Sequence, residues 1–367
     1  MIAAMVLALA VQETPAREDS STYSFLRYLA RHQRADGSWG GRPEKCTCPD
    51  EAKKAVPCDV ERVAPLLAAL GDEDPGRRDA AEKELRALGE SALPHLRGAA
   101  KDPDPEVRGR CAVLCRRLEL DARGGGDAEL TGQALLVFLG AGFSHLSKDE
   151  HDGLCFGTVV KKAMQWLIAR QKETGAFDAE DPVADAIATL ALSEAYGMTA
   201  SAPLKDPAQK GVDRLVATPM DAPRGLIWKG MALKSAELGE LEFPKAAYES
   251  LDAIRSKEGN LAIAGTTILS IFVHRSKADP RLGDIRRLDP AALQTETLYV
   301  ATLASFQFDG PNGPQWKGWN EQMKKRLLPA QRLKKGECEW GSWDGKTFRA
   351  RLQATALNGM NFEFYYR

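Results

Sequence analysis

The chain lacks a long apolar run, is poor in aromatic residues and carries almost no net charge, and each shortage removes a class of function. A membrane-spanning helix takes about 20 apolar residues in succession, and the apolar opening Met1 to Ala10 is far shorter. Aromatics make up 7% of the residues, too few to expect stacking platforms for single-stranded nucleic acid. With 50 Lys and Arg against 51 Asp and Glu, the formal charge is -1, which gives no field to attract nucleic acid or anionic membranes. No transmembrane segment and no nucleic-acid partner are therefore expected. Also missing are a C-x-x-C pair, a G-x-S-x-G nucleophile turn and a glycine-rich phosphate loop after a strand. What remains is ordinary for a folded protein: 44% hydrophobic and 28% charged residues. A length of 367 residues exceeds what one core usually supports, so two domains or a repeat architecture are expected.

The opening segment ends in Ala8-Leu9-Ala10, the small-x-small pattern that signal peptidases accept, although no Lys or Arg precedes the apolar run. Residues 1–10 are expected to be a signal peptide and the protein to be exported, periplasmic or extracellular; uncleaved, the chain would be cytoplasmic. Seven cysteines leave the compartment open. Cys46, Cys48 and Cys58 lie in one polar stretch, where export would favour a disulfide with an odd thiol left over. Cys111 and Cys115, one helical turn apart, suit the apolar face of a helix. Cys155 and Cys338 stand alone, and the five histidines show no spacing that pairs with a cysteine. His145 and His151 are expected to be exposed and His32 to cap a helix end; no metal and no cofactor are expected.

Helical periodicity dominates the chain, over Ser21 to Arg34, Thr131 to Gly140, Val159 to Gln171, Pro182 to Tyr196, Gly225 to Leu238 and Leu298 to Phe306. No long alternating strand pattern appears, and the fold class expected is all-α. Within residues 59–120, Asp74-Pro75 recurs as Asp104-Pro105, with Arg78 and Arg108 at the same offset. An Asp cap followed by Pro in the first turn starts a helix well. Helices are expected over Val60 to Leu70, Gly76 to Leu88, Ser91 to Ala100 and Glu106 to Leu118. Leu66, Leu67, Leu70, Leu85, Leu88, Leu96, Val107, Val113 and Leu114 would form their seam. This segment resembles short bacterial HEAT-like repeats, two units long.

A second repeat joins distant parts of the chain. Gln33, Asp36, Gly37 and Trp39 end the first helix; Gln171, Gly175 and Phe177 end another; Gln331 followed by Trp340 and Trp343 end a third. A glutamine amide there can bond helix-terminal carbonyls while the aromatic packs beside it, tying one helical hairpin to the next. Here the sequence resembles the α/α-toroid superfamily of squalene–hopene cyclases and protein prenyltransferase β-subunits, whose repeats carry Q-x-x-D-G-S-W. The segments Thr131 to Gly142, Ala186 to Met198, Trp319 to Lys325, Leu328 to Gln331 and Ala354 to Asn358 resemble in particular the squalene-cyclase-repeat proteins of planctomycete-type genomes. The resemblance covers residues 21–45 and 125–367. It implies a toroid, read as an incomplete barrel of hairpins: 21–58 supplies the first helix, its turn and a Cys-rich loop, 59–120 is the HEAT-like insertion, and 125–367 is the remainder. Ala217 to Trp228 is shorter than in such relatives, and Asp185 stands where they commonly have His.

Class II cyclases of that superfamily protonate an alkene with a D-x-D-D motif, which Asp178, Glu180 and Asp181 approach. Glu180 replaces the middle acid and Pro182 follows, so the motif reads equally as an acidic loop capping the next helix. The resulting expectation is an exported binding or scaffold protein with no intact catalytic motif. Its partner would be a protein or a small apolar ligand; the alternative is an isoprenoid-processing enzyme of cyclase or prenyltransferase type.

Overall fold

The computed structural model describes residues 21–43, 45–48, 60–88, 92–122, 127–178, 181–273 and 280–363. Residues 1–10, where a signal peptide is expected, and Cys58, Glu180 and His274 lie outside them. The fold is all-α: among the described residues the one sheet is a two-stranded hairpin, β1 (Glu150–His151) with β2 (Leu154–Cys155). The chain divides into two compact units, one of residues 1–49 and 127–367 and one of residues 50–126.

The smaller unit holds α2 (Val60–Ala69), α3 (Pro75–Leu88), α4 (Leu93–Ala99) and α5 (Pro105–Ala122). Its two Asp-Pro turns are built alike. Asp74 Oδ1 accepts from the Gly76 amide at 2.9 Å, and Asp104 Oδ1 from the Glu106 amide at 2.8 Å. Arg78 Nη1 donates back to the Asp72 and Glu73 carbonyls, and Arg108 Nη1 to those of Asp102 and Pro103. Each arginine thus holds the carbonyls of the incoming turn, which otherwise lack helical partners. Leu70, Leu85, Leu96, Val107, Cys111, Leu114 and Cys115 form the core with Val63, Leu93 and Leu118. Leu66, Leu67 and Leu88 pack at its edge, but Val113 is 57% exposed. It precedes Leu114 by one position and so points about 100° away from the seam.

The larger unit contains α1 (Ser21–Arg31), α6 (Asp127–Gly140), α7 (Phe156–Arg170), α8 (Pro182–Thr199), α9 (Ala202–Ala217), α10 (Pro223–Leu238), α11 (Asn260–Phe272), α12 (Thr295–Asp309), α13 (Pro314–Ala330) and α14 (Phe348–Met360). Two 3₁₀ segments, Lys245–Ser256 and Pro280–Arg287, precede α11 and α12. Six helices, α6, α8, α10, α11, α12 and α14, are buried along most of their length. Helices with so little surface open to water must be covered on nearly every side, and these cover one another. α6 packs on α8, α8 on α10, α10 on α11, α11 on α12, α12 on α14, and α14 back on α6. The cycle of contacts has no open end. One amphipathic element precedes each of the six: α1, α7, α9, the two 3₁₀ segments and α13.

Candidate metal centre, turn joints and helix-end polar cluster

The glutamine turns form one device used three times. Gln33 Nε2 donates to the Gly37 carbonyl and, at 2.9 Å, to the Val159 carbonyl of α7. Gln171 Nε2 donates to Gly175 and, at 2.9 Å, to Pro207 of α9. Gln331 Nε2 donates to Gly341 and, at 3.1 Å, to Ser24 Oγ of α1. Each amide therefore ties its own turn to the next amphipathic helix, and the last ties the end of the chain to its beginning. Gly37, Gly175 and Gly341 have φ of +96°, +82° and +96°, and a Cβ on each would lie 2.4, 2.1 and 1.9 Å from a carbonyl oxygen of that next helix. Only glycine fits both demands.

The aromatics follow the same plan. Trp39 Nε1 donates to the Leu29 carbonyl and Trp343 Nε1 to that of Leu327, both at 2.8 Å. Their backbone amides donate to Thr131 and Thr355 hydroxyls, whereas the Phe177 amide donates to Asp185 Oδ1 at 2.7 Å. Asp185 is buried, and burial pushes its carboxyl above the usual range against the amides of Asp178 and Phe177 and the guanidinium of Arg214. It replaces a threonine of the other two turns and belongs to the joint. Trp340 does not act as a turn aromatic. It stands three residues before Trp343, at the place Asp36 holds in the first turn, with the guanidinium groups of Arg27 and Arg31 at 5.3 and 5.6 Å from its ring. In the first turn Asp36 closes the loop by accepting from Ser38.

The acidic motif is resolved at its ends. Asp181 is the N-cap of α8, its Oδ1 accepting from Val183 N at 2.9 Å and Ala184 N at 3.2 Å. The Asp178 backbone amide donates to Asp185 Oδ1 at 2.9 Å. Near the start of α8, the first turns of α6, α10 and α12 bring Glu129, Arg224 and Glu296 together. Arg224 holds both oxygens of Glu296, at 2.9 and 2.8 Å through Nε, and Glu129 through Nη2. Trp228 donates to Glu296, and Gln133 and Gln353 donate to Glu129. Burial pushes the Glu129 carboxyl up, with Arg224 opposing. Elsewhere, a cleft of about 420 Å³ is bordered by Thr295, Arg326, Gln331, Arg332, Asp344 and Asn358.

The largest departure from sequence expectation concerns the cysteines. Cys46 and Cys48 are joined by Cys338 and His32, and the four ligand atoms all lie within 4.8 Å of one another. The three thiols are free in the structure, with Cys46 Sγ and Cys338 Sγ 3.9 Å apart, far beyond a disulfide bond. His32 Nε2 lies 3.3 Å from Cys338 Sγ and 3.5 Å from Cys48 Sγ. Its Nδ1 meets the Tyr28 carbonyl at 2.7 Å, so the expected helix-end contact exists and fixes the tautomer that leaves Nε2 bare. Burial holds the imidazole down to about 4, hence neutral. Burial raises the Cys46 and Cys48 thiols; at Cys338 the Thr47 amide and neighbouring thiols outweigh burial and lower it. Local spacing could not reveal this group, because Cys338 stands 290 residues beyond Cys48. A length difference was the available signal: Gly341 follows Gln331 by ten positions where Gly37 follows Gln33 by four, and the extra loop carries Cys338.

The remaining singled-out residues fall into place simply. Cys111 and Cys115 are core residues of the smaller unit. His151 is half-buried rather than exposed, its ring 4.8 to 5.6 Å from those of Tyr23, Phe143 and Phe156, because the β1–β2 hairpin folds it onto them. His145 is half-buried as well. Comparison with known proteins finds no matching family model, and neither curated proteins nor solved structures give a match.

Proposed function

We propose that the larger unit is an α/α toroid of six hairpins acting as a binding scaffold, with the smaller unit as a HEAT-like satellite, in an exported protein. The six-helix contact cycle and the three glutamine joints support the toroid. The observation that carries the functional reading is the fate of the helix starts where a cyclase would need an acid over an apolar, aromatic-walled cavity. There, Arg224 is shared between Glu129 and Glu296 in a hydrogen-bonded cluster, and the Asp181 carboxylate accepts from two backbone amides. A protonating acid needs its carboxyl aimed at an unsolvated alkene; the Asp181 carboxylate is aimed at the Val183 and Ala184 amides instead. The cleft beside Gln331, with two arginines and Asn358 on its border, suits a polar segment of a protein partner better than a polyprene.

The test is direct. Purified protein incubated with squalene or a shorter polyprene is expected to give no cyclised product by mass spectrometry. Cyclised product that disappears in Asp181→Asn would overturn the scaffold reading and establish the isoprenoid enzyme.

A further inference from the structure

We infer that His32, Cys46, Cys48 and Cys338 bind one Zn²⁺ in a closed Cys₃His site that locks the first turn of the larger unit to its last. Zinc bonded to sulfur at about 2.3 Å and to nitrogen at about 2.0 Å in a tetrahedron sets S···S edges of about 3.8 Å and S···N edges of about 3.5 Å. Three of the six observed separations match closely, 3.9 Å for Cys46–Cys338 and 3.3 and 3.5 Å from His32 Nε2 to Cys338 and Cys48, and all six lie within 4.8 Å. Three thiolates and an imidazole are soft and borderline donors, which select zinc over the hard cations that take oxygen.

The surroundings supply what such a site needs beyond its ligands. His32, 2% exposed, keeps Nδ1 on the Tyr28 carbonyl. The Thr47 amide donates to Cys338 Sγ at 3.3 Å, a bond that a thiolate strengthens. Zinc with three thiolates carries a net charge of -1, and Arg42 lies beside it, bonded to the Cys48 carbonyl and 4.0 Å from Cys46 Sγ. All four positions are filled by protein, leaving none for substrate, so the role is structural. Its place gives the reason. The ligands come from the end of α1, the loop after the first turn and the enlarged third turn, beside the Gln331–Ser24 joint where the contact cycle closes. The Gln331 hydrogen bond and the Arg27 and Arg31 contacts with Trp340 already cross that seam; the metal would add a bridge from Cys338 to three ligands of the first-turn side. Binding deprotonates the three thiols, so up to three protons leave as the ion enters, and no electrons move.

The experiment uses the full-length chain purified without chelator. Elemental analysis is expected to find one zinc per chain, released on titration with an organomercurial and absent from Cys338→Ser. Cys155→Ser, outside the cluster, retains the full equivalent. To separate loss of metal from loss of fold, the metal-free wild type is titrated with Co²⁺; the intense visible bands of tetrahedral cobalt–thiolate should saturate at one equivalent. His32→Cys should keep one metal, with the cobalt bands shifted to those of four thiolates. A Cys46–Cys338 disulfide in the native protein, iron or copper in place of zinc, or a full equivalent of zinc in Cys338→Ser would each overturn the assignment. None of these outcomes bears on cyclisation of polyprenes, so the scaffold reading stands or falls separately.

Discussion

The two units meet one requirement, joining a helical hairpin to its neighbour, by opposite means. In the smaller unit the joint is an arginine, half-buried at Arg78 and exposed at Arg108: each reaches back to carbonyls of its own turn, and the apolar seam does the stacking. In the larger unit the joint is a neutral amide that reaches across to another helix, with a glycine in the left-handed region pressed against that helix's backbone. A charged group can stay wet and still hold carbonyls; between packed helices an unpaired charge would cost far more than a satisfied amide, and the one carboxylate of these joints, Asp185, is paired with Arg214 and two backbone amides. The difference teaches where each unit should be fragile: the larger at its turns, the smaller in its core.

Glycine substitutions should break the two units most unequally. Gly341→Ala places a methyl 1.9 Å from the Ser24 carbonyl oxygen at a positive φ, and is expected to cost about 4 kcal/mol, at the upper end for single substitutions. Gly109→Ala, in α5 with nothing within 4 Å of the new methyl, should stabilise by about 0.5–1 kcal/mol through helix propensity. Denaturant unfolding of both variants measures the pair, and equal effects would erase the contrast.

The joints themselves come next. Gln331→Ala removes the hydrogen bonds to the Gly341 carbonyl and the Ser24 hydroxyl in a buried turn, for about 2 kcal/mol. Arg108→Ala, exposed, should cost about 1 kcal/mol or less because water replaces its bonds. Hydrogen exchange in α1 against α5 would locate each loss.

Acid should discriminate more gently. Burial pushes the Asp127 carboxyl up, but Arg349 and Arg34 outweigh it and hold the group below 3.8. A depressed folded value means that its stabilising contribution is complete above pH 3.8 and disappears as the pH falls through the lower folded value. With Asp127 about a third exposed, the amount is about 1 kcal/mol after solvent screening. Asp127→Asn should flatten the stability profile below pH 4 while leaving the smaller unit's profile unchanged.

The smallest effect belongs to the acidic motif. Asn caps a helix nearly as well as Asp, so Asp181→Asn is expected to change stability by a few tenths of a kcal/mol. A shift of several degrees in melting temperature would show that Asp181 does more than cap α8.

Much of this was legible because its causes are local. The Asp-Pro turns, the helix faces and the glutamine turns at Gln33, Gln171 and Gln331 are short patterns whose physics operates within a few residues. Helices α9, α11, α13 and α14 were not delimited from periodicity; α11 and α14 are buried nearly all round and so lack a clean polar face. Trp340 and Trp343 look alike in the sequence because both are aromatic, and tertiary contacts separate them: Trp343 bonds the Leu327 carbonyl and the Thr355 hydroxyl, whereas Trp340 lies against Arg27 and Arg31.

The amino-acid sequence by itself pointed to the helical class and to an insertion over residues 59–120, within the compact unit of residues 50–126, since propensity, capping and turn chemistry depend on neighbours along the chain. Tertiary structure alone decided which residues meet. Nothing in the spacing of Cys46 and Cys48 points to a partner at Cys338, or of Glu129 to Arg224 and Glu296, because those encounters exist only once six helices have closed on one another. Burial then turns scattered thiols, an imidazole and three charges into groups that must satisfy each other, since water is no longer there to do so.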